Sequence, residues 1–264
     1  MRLDRIVGMD NASNTGTNHL PLLGAAALVT GGSRGIGGAT AVRLAELGAD
    51  VAITYREKEE RAAQVVDRVK AVGRRAPAIR ADAADVGSVT GAVRRTADTF
   101  GRLDILVNNA AAFMMGATED VSDDDLGRAV AANVEAPFAA AREAFRLMGE
   151  GGRIINLGSN VSERLPFPGL TLYSMTKSAM VGLTKGLARE GGPRGITAVM
   201  VAPGPTDTDT SPADGPMAET ISGITALGRY VRPEEVAETI AFLAGPGGSA
   251  TTGTAVYVDA GFTA

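Results

Sequence analysis

Tyr173 and Lys177 stand four apart in the run YSMTK. On a helix, residues at that spacing lie on one face. A free tyrosine has a pKa of about 10, too high for an ideal proton donor or acceptor at neutral pH. A nearby ammonium stabilises the phenolate and lowers that value. The spacing therefore suits general acid–base work on an oxygen. The plainer alternative is a surface pair, and the rest of the chain must separate the two.

A second stretch bears on the same question. VTGGSRGIGGATAVRLA (29–45) carries Gly31, Gly35 and Gly37 between an apolar run and a helical pattern. Glycines there permit a tight turn and close approach of backbone to a pyrophosphate. The helix start beyond offers free N–H groups and positive dipole to phosphate. Position is what raises this reading above a glycine-rich structural turn. Other chemistries are narrowed by composition. The chain has no cysteine and one histidine, His19, in a polar segment. Thiol nucleophiles, disulfides and thiolate metal sites are excluded, and so is a histidine-based metal cluster, so no metal is expected. A Ser-His-Asp triad would have to depend on His19.

These residues need elements to position them. Seven short apolar runs, at 25–30, 49–54, 75–81, 103–108, 152–158, 195–201 and 254–259, read as buried strands. Helical patterns lie between most of them, such as 36–48 and 234–245, the latter entered through Pro233 and left through Gly245. Strands separated by helices imply βαβ units, hence an α/β fold with a parallel sheet covered on both faces. Residues 1–20 read as a flexible extension without a secretory apolar core, and 21–264 as a single domain. The weakly patterned 203–228 is expected to be a lid over the site. Net charge is −4 with no basic run, which argues against nucleic acid. No apolar stretch reaches the roughly 18 residues of a membrane span. A cytoplasmic location is expected.

The glycine spacing, led by Thr30, resembles the T-G-x-x-x-G-x-G of the short-chain dehydrogenase/reductase family. The resemblance runs from about residue 24 to residue 262. It includes NNAA (108–111), Asn133 in ANVEAPF, YSMTK, APGPTDTD (202–209) and GTAVYVDAGFTA (253–264). It implies a Rossmann-like, doubly wound sheet of seven strands and a nicotinamide-dependent oxidoreductase. Tyr173 would then be the general acid that protonates a ketone oxygen during reduction to a secondary alcohol. Lys177 would tune the phenol and contact the nicotinamide ribose. A serine after the fifth strand would hold the carbonyl oxygen. Many members place it thirteen residues before the tyrosine, at Asn160 here, and others fourteen, at Ser159. The GS after the strand favours Ser159. Asn133 would kink its helix and hold a water that relays protons to the lysine.

A carboxylate after the second strand would favour NAD, and a cation there NADP. Tyr55 stands where the acid is expected, and Arg56 follows it. Arg34 and Ser33 lie in the glycine turn, so a 2′-phosphate and NADP(H) are expected, with Glu57 facing solvent. Asp82 is expected against the adenine, though Asp82 or Asp85 could instead cap the next helix. The resemblance adds Ile36, Ala83, Asn109, Ala110, Pro203, Gly204, Thr206 and Thr208 to the cofactor contacts. Phe113, Met114, Leu165, Phe167 and Met217 are expected to touch the substrate.

The pattern looks most like 3-oxoacyl thioester reductases, with the substrate carried on acyl carrier protein or coenzyme A. Arg146 and Arg194 match the carrier contacts of such enzymes. Reductases of cyclic, polyol, steroid and polyketide ketones share the other motifs. A nucleotide-binding regulator without turnover is the alternative of a different class. A homotetramer is expected through 137–145, 178–188 and the last strand, with a dimer as the runner-up.

Overall fold

In the computed structural model, residues 20–264 are described. The expected flexible extension, His19 included, lies outside them except for Leu20. The strands are β1 (Ala26–Val29), β2 (Asp50–Tyr55), β3 (Ala78–Arg80), β4 (Ile105–Asn108), β5 (Arg153–Leu157), β6 (Thr197–Pro203) and β7 (Ala255–Val258). All are parallel and form one sheet in the order β3-β2-β1-β4-β5-β6-β7. Each falls within or beside one of the seven apolar runs.

The helices are α1 (Gly35–Glu46), α2 (Glu59–Ala71), α3 (Val86–Phe100), α4 (Asp123–Val130), α5 (Ala136–Leu147), α6 (Thr171–Gly191), α7 (Ala218–Gly223) and α8 (Pro233–Ala244). Successive strand residues feed opposite cores, as the two-residue period requires. Ala27, Val29, Ile105 and Val107 pack with Val42, Val65 and Ile240 of α1, α2 and α8. Ala26, Leu28 and Leu106 pack with Val93, Ala140 and Leu187 of α3, α5 and α6. Both faces are covered, which is why the strands read as continuous apolar runs rather than alternating ones. Among the described residues, no helix is long and apolar enough to cross a membrane.

Strand order reverses between β1 and β4. In open α/β sheets, ligands sit at the carboxyl ends of strands at such a switch point. The glycine turn follows β1, and Asn109 and Ala110 follow β4. Thr30 joins the two. Its Oγ accepts from the backbone N–H of Asn109 at 2.9 Å and of Ala110 at 3.0 Å.

Candidate active site

A cleft of about 960 Å³ opens at these strand ends. The glycine turn forms its floor. Gly31 has φ 64°, in the left-handed region where a side chain is strained. A Cβ on Gly37 would lie 2.5 Å from both Asn109 Nδ2 and the Gly31 carbonyl oxygen. The turn is therefore as tight as backbone allows. Beyond it, α1 begins without a side-chain cap and without an acidic residue in its first turn. Its leading N–H groups have no side-chain competitor, which fits a phosphate. Ser33, Arg34, Gly35 and Ile36 line the cleft beside them.

The β2 side is polar and exposed. Tyr55, Arg56, Asp82 and Ala83 line it. Arg34 Nη1 lies 2.8 Å from Asp209 Oδ2, and Arg61 at the start of α2 bonds the same carboxylate oxygen. Those two guanidiniums hold the Asp209 carboxyl below its ordinary pKa. Arg61 and Asp209 were not singled out from the sequence, because their partners lie far along the chain. Glu57 is exposed, as expected. It lines the cleft and pairs with Arg56 at 3.0 Å. Asp85 caps α3 by accepting from the Ser88 N–H at 3.1 Å, which leaves Asp82 to the cleft wall.

The β5 side is dry. Tyr173, Lys177, Ser159 and Asn160 all line the cleft. Lys177 is 4% exposed and donates from Nζ to the Leu157 carbonyl at 2.8 Å. The Nζ lies 5.8 Å from the centre of the Tyr173 ring. Burial lowers the lysine's pKa to about 8. Burial pushes the Tyr173 phenol up to about 12, and a hydrogen bond from Ser159 offsets only part of that. The Lys177 ammonium, engaged by the Leu157 carbonyl, is not among the groups that shift the phenol here. Ser159 is the hydroxyl that meets Tyr173. Asn160 stands behind it, with Oδ1 3.3 Å from Ser159 Oγ.

Asn133 does disturb its helix. It sits in a π turn, Ala131–Glu135, between α4 and α5, a feature common at functional sites. Its side chain is outside the cleft lining. Oδ1 accepts from the Ala112 N–H at 2.8 Å, and Nδ2 donates to the Ala112 carbonyl at 2.9 Å and to Thr176 Oγ1 at 3.0 Å. Both amide donors are engaged, so its side chain clamps the loop after β4 to α6.

The remaining wall is apolar. Phe113, Met115, Phe167, Leu170, Met217 and Ile221 line the cleft, as their apolar types and places in the sequence suggest, joined by Phe262. Phe113 meets Tyr173 edge to face with ring centres 5.0 Å apart. Met114 and Leu165 are corrections, since neither lines the cleft. Phe113 and Met115 face the open cleft, 50% and 66% exposed, and Met114 between them is directed away from it. Leu165 is 46% exposed. Asn109, Ala110, Pro203, Gly204, Thr206 and Thr208 complete the lining.

Arg146 and Arg194 are held elsewhere. Arg194 donates to the Phe145 carbonyl at 2.7 Å and to that of Met148. Arg146 Nη1 bonds Glu143 at 2.9 Å, and Glu143 is also forked by Arg94.

A family model described as Enoyl-(Acyl carrier protein) reductase matches residues 31–263. The cyclic-di-GMP-binding biofilm dispersal mediator protein of Escherichia coli (strain K12) is 42% identical over 239 residues, 90% of this chain and 97% of that protein. A hydroxynaphthalene reductase-like protein of Metarhizium majus is 35% identical over 254 residues, 91% of this chain and 95% of that one. The crystal structure of a short chain dehydrogenase from Burkholderia cenocepacia J2315 in complex with NADP superposes with a TM-score of 0.91 at 50% identity, covering 92% of this chain and 100% of that one. With its motifs in order, its sheet in this topology and these matches along nearly its whole length, the chain belongs to the short-chain dehydrogenase/reductase family.

Proposed function

We propose that this oxidoreductase reduces a ketone to a secondary alcohol with NADPH, and that Tyr173 gives the proton. The observation that carries this reading is the Ser159, Tyr173 and Lys177 set, gathered in one wall of a cleft whose floor suits a pyrophosphate. Binding a nucleotide does not call for a phenol and a buried ammonium side by side. NADP(H) would be held by the glycine turn and the start of α1, by Arg34 with Arg61 at its 2′-phosphate, and by Asp82, Asn109 and Thr206 along its length. When bound, the reduced nicotinamide supplies the hydride to the carbonyl carbon.

The chain's residues do the rest. Ser159 holds the carbonyl oxygen. Tyr173 carries its proton at neutral pH, and the burial that raises its pKa opposes giving it up, so the phenol can act as an acid only with Lys177 beside it to stabilise the phenolate. Negative charge grows on the ketone oxygen as the hydride arrives, and that oxygen takes the phenolic proton. Lys177, still charged at pH 7, then stabilises the phenolate left in an apolar wall. The segment 203–228 supplies Thr206, Thr208 and Met217 to the cleft and serves as its lid.

For the substrate we favour a cyclic or aryl-fused ketone over a carrier-bound 3-oxoacyl thioester. The wall is aromatic and thioether-rich, and the hydroxynaphthalene reductase-like relative points the same way. Arg146 and Arg194, the proposed carrier contacts, have internal partners. The thioester remains the second reading because of the description of the matching family model. The name of the Escherichia coli relative supports a nucleotide-binding regulator as a third. Exposed Phe138 and Leu147 on α5 support a homotetramer, testable by sedimentation.

The test is NADPH oxidation with 1-tetralone and with an acetoacetyl thioester, beside NADH and beside Tyr173→Phe. Turnover of the ring ketone that vanishes in the variant supports the first reading. Preference for the thioester moves the substrate assignment to the second. Tight NADPH binding without turnover of any ketone sinks both and favours the regulator.

A further inference from the structure

Asn160 is buried, 4% exposed, and its Nδ2 has no hydrogen-bond partner. Its Oδ1 lies 3.3 Å from Ser159 Oγ, an arrangement in which the serine donates to the amide. The Val161 N–H also approaches Ser159 Oγ, at 3.4 Å. The surrounding loop is well fixed. Ser162 Oγ donates to the Ser159 carbonyl at 2.6 Å, and Ser174 Oγ to that of Val161 at 2.8 Å. Asn160 therefore has little freedom except to turn its amide end for end.

Two arguments favour the turned amide. The first is hydrogen-bond satisfaction. With the carbonyl end toward Ser159, two buried N–H donors are left unpaired. With the amide end toward Ser159, one N–H is paired, and one N–H and a carbonyl oxygen are left instead of two N–H groups. Unpaired buried N–H groups are the rarer and costlier of the two. The ends of an amide have nearly the same shape, so hydrogen bonding decides between them.

The second argument concerns the serine. A hydroxyl has one proton and two lone pairs. If Ser159 gives its proton to Asn160, it has none for a ketone oxygen. If Asn160 and Val161 both donate to Ser159 Oγ, the lone pairs are filled and its own proton is left to point toward Tyr173 and the substrate.

We propose that Asn160 is a positioning residue whose side-chain N–H donates to Ser159 Oγ and commits the serine's proton to the substrate carbonyl. The inference rests on the ketone-reductase reading above for its consequence in catalysis, and on the Ser159–Asn160 geometry for its direction. It also accounts for an amide in the place where many family members carry the catalytic serine. Here the serine has moved one residue back, and the amide supports it from behind.

Two experiments test this. The first compares Asn160→Ala and Asn160→Asp for ketone reduction, with NADPH binding as the control for folding. A carboxylate has the shape of the amide but at neutral pH can only accept. It would draw the serine's proton away from the substrate. We expect kcat to fall about tenfold in Asn160→Ala and about a hundredfold in Asn160→Asp, with KM changed less. The Asp variant should regain rate as pH falls and its carboxyl becomes a donor. A merely structural amide predicts the opposite order, with the isosteric Asp milder than Ala. That order, or wild-type kcat in Asn160→Ala, overturns the proposal. The second experiment needs no substrate. Neutron diffraction from wild-type crystals exchanged into D2O should show a deuteron of Asn160 Nδ2 directed at Ser159 Oγ. A Ser159 deuteron directed at Asn160 overturns the proposal even if the protein reduces ketones. The expected deuteron in a protein that turns over no ketone upholds the direction while the reductase reading fails.

Discussion

On the β2 side of the cleft, Arg34 and Arg61 keep 45% and 42% of their side-chain surface in solvent. On the β5 side, Lys177 is 4% exposed. Exposed guanidiniums keep their charge and sit where salt screens them within about 8 Å. They suit recognition of a phosphate that arrives from water. A buried ammonium has its acidity changed by its surroundings, and so has the phenol beside it. One side of the cleft selects by charge, and the other makes chemistry by burial. Their responses to mutation, pH and salt should therefore differ in kind.

The sharpest break is at Tyr173. Tyr173→Phe should lower kcat about 1000-fold, while NADPH binding, followed by cofactor fluorescence, stays within about twofold. Comparable losses in both would mean that the two sides are not separable.

Lys177 comes next. Moving its pKa from an ordinary 10.5 to about 8 costs the charged form about 3 kcal/mol. Lys177→Met removes that cost but leaves the Leu157 carbonyl without its donor, a loss of about 1 kcal/mol. The variant should be inactive yet about 2 kcal/mol more stable at pH 7 by urea unfolding. The pH dependence has a definite sign. Between about 8 and 10.5 the folded wild type holds fewer protons here than the unfolded chain. Its penalty is full below about pH 8 and fades as pH rises to 10.5, so the variant's advantage should shrink over that window. Wild-type kcat for reduction should likewise fall as pH rises through about 8.

Effects on the β2 side should be smaller and should depend on salt. Arg34→Ala and Arg61→Ala should each weaken NADPH about tenfold and leave NADH nearly unchanged, by fluorescence titration at low and high salt. Asp209→Asn should do the reverse. It removes a carboxylate that competes with the 2′-phosphate for both guanidiniums, and should tighten NADPH two- to fivefold, about 0.4 to 1 kcal/mol. Looser binding in Asp209→Asn would mean that the aspartate orders the arginines more than it competes with them.

Much of this was legible in the residues. The seven runs become strands because each is buried on both faces, and burial writes itself into local composition. The glycine turn was legible because backbone closeness leaves one residue type. The β2 side was less so. Arg34 and Asp209 are separated by 175 positions and Arg61 and Asp209 by 148, and no periodicity links them. Met114 is apolar like its neighbours Phe113 and Met115, and an apolar type does not show which way a side chain turns. The depth of Tyr173 was also missed. Spacing puts it beside Lys177 but does not set how much water the fold removes, and here that removal decides the direction of its pKa.

The Asn133 clamp has a consequence for motion. The Ala112 N–H lies in a loop without regular structure, yet Asn133 Oδ1 holds it at 2.8 Å and Asn133 is itself buried. Amide hydrogen exchange is slow where a bond breaks only with its surroundings. Ala112 should exchange as slowly as a strand residue while Met114 and Met115, just beyond it, exchange fast. With the Gly116 N–H bonded to the Gly169 carbonyl at 2.9 Å, the Phe113–Met115 wall would then be a short free span held at both ends.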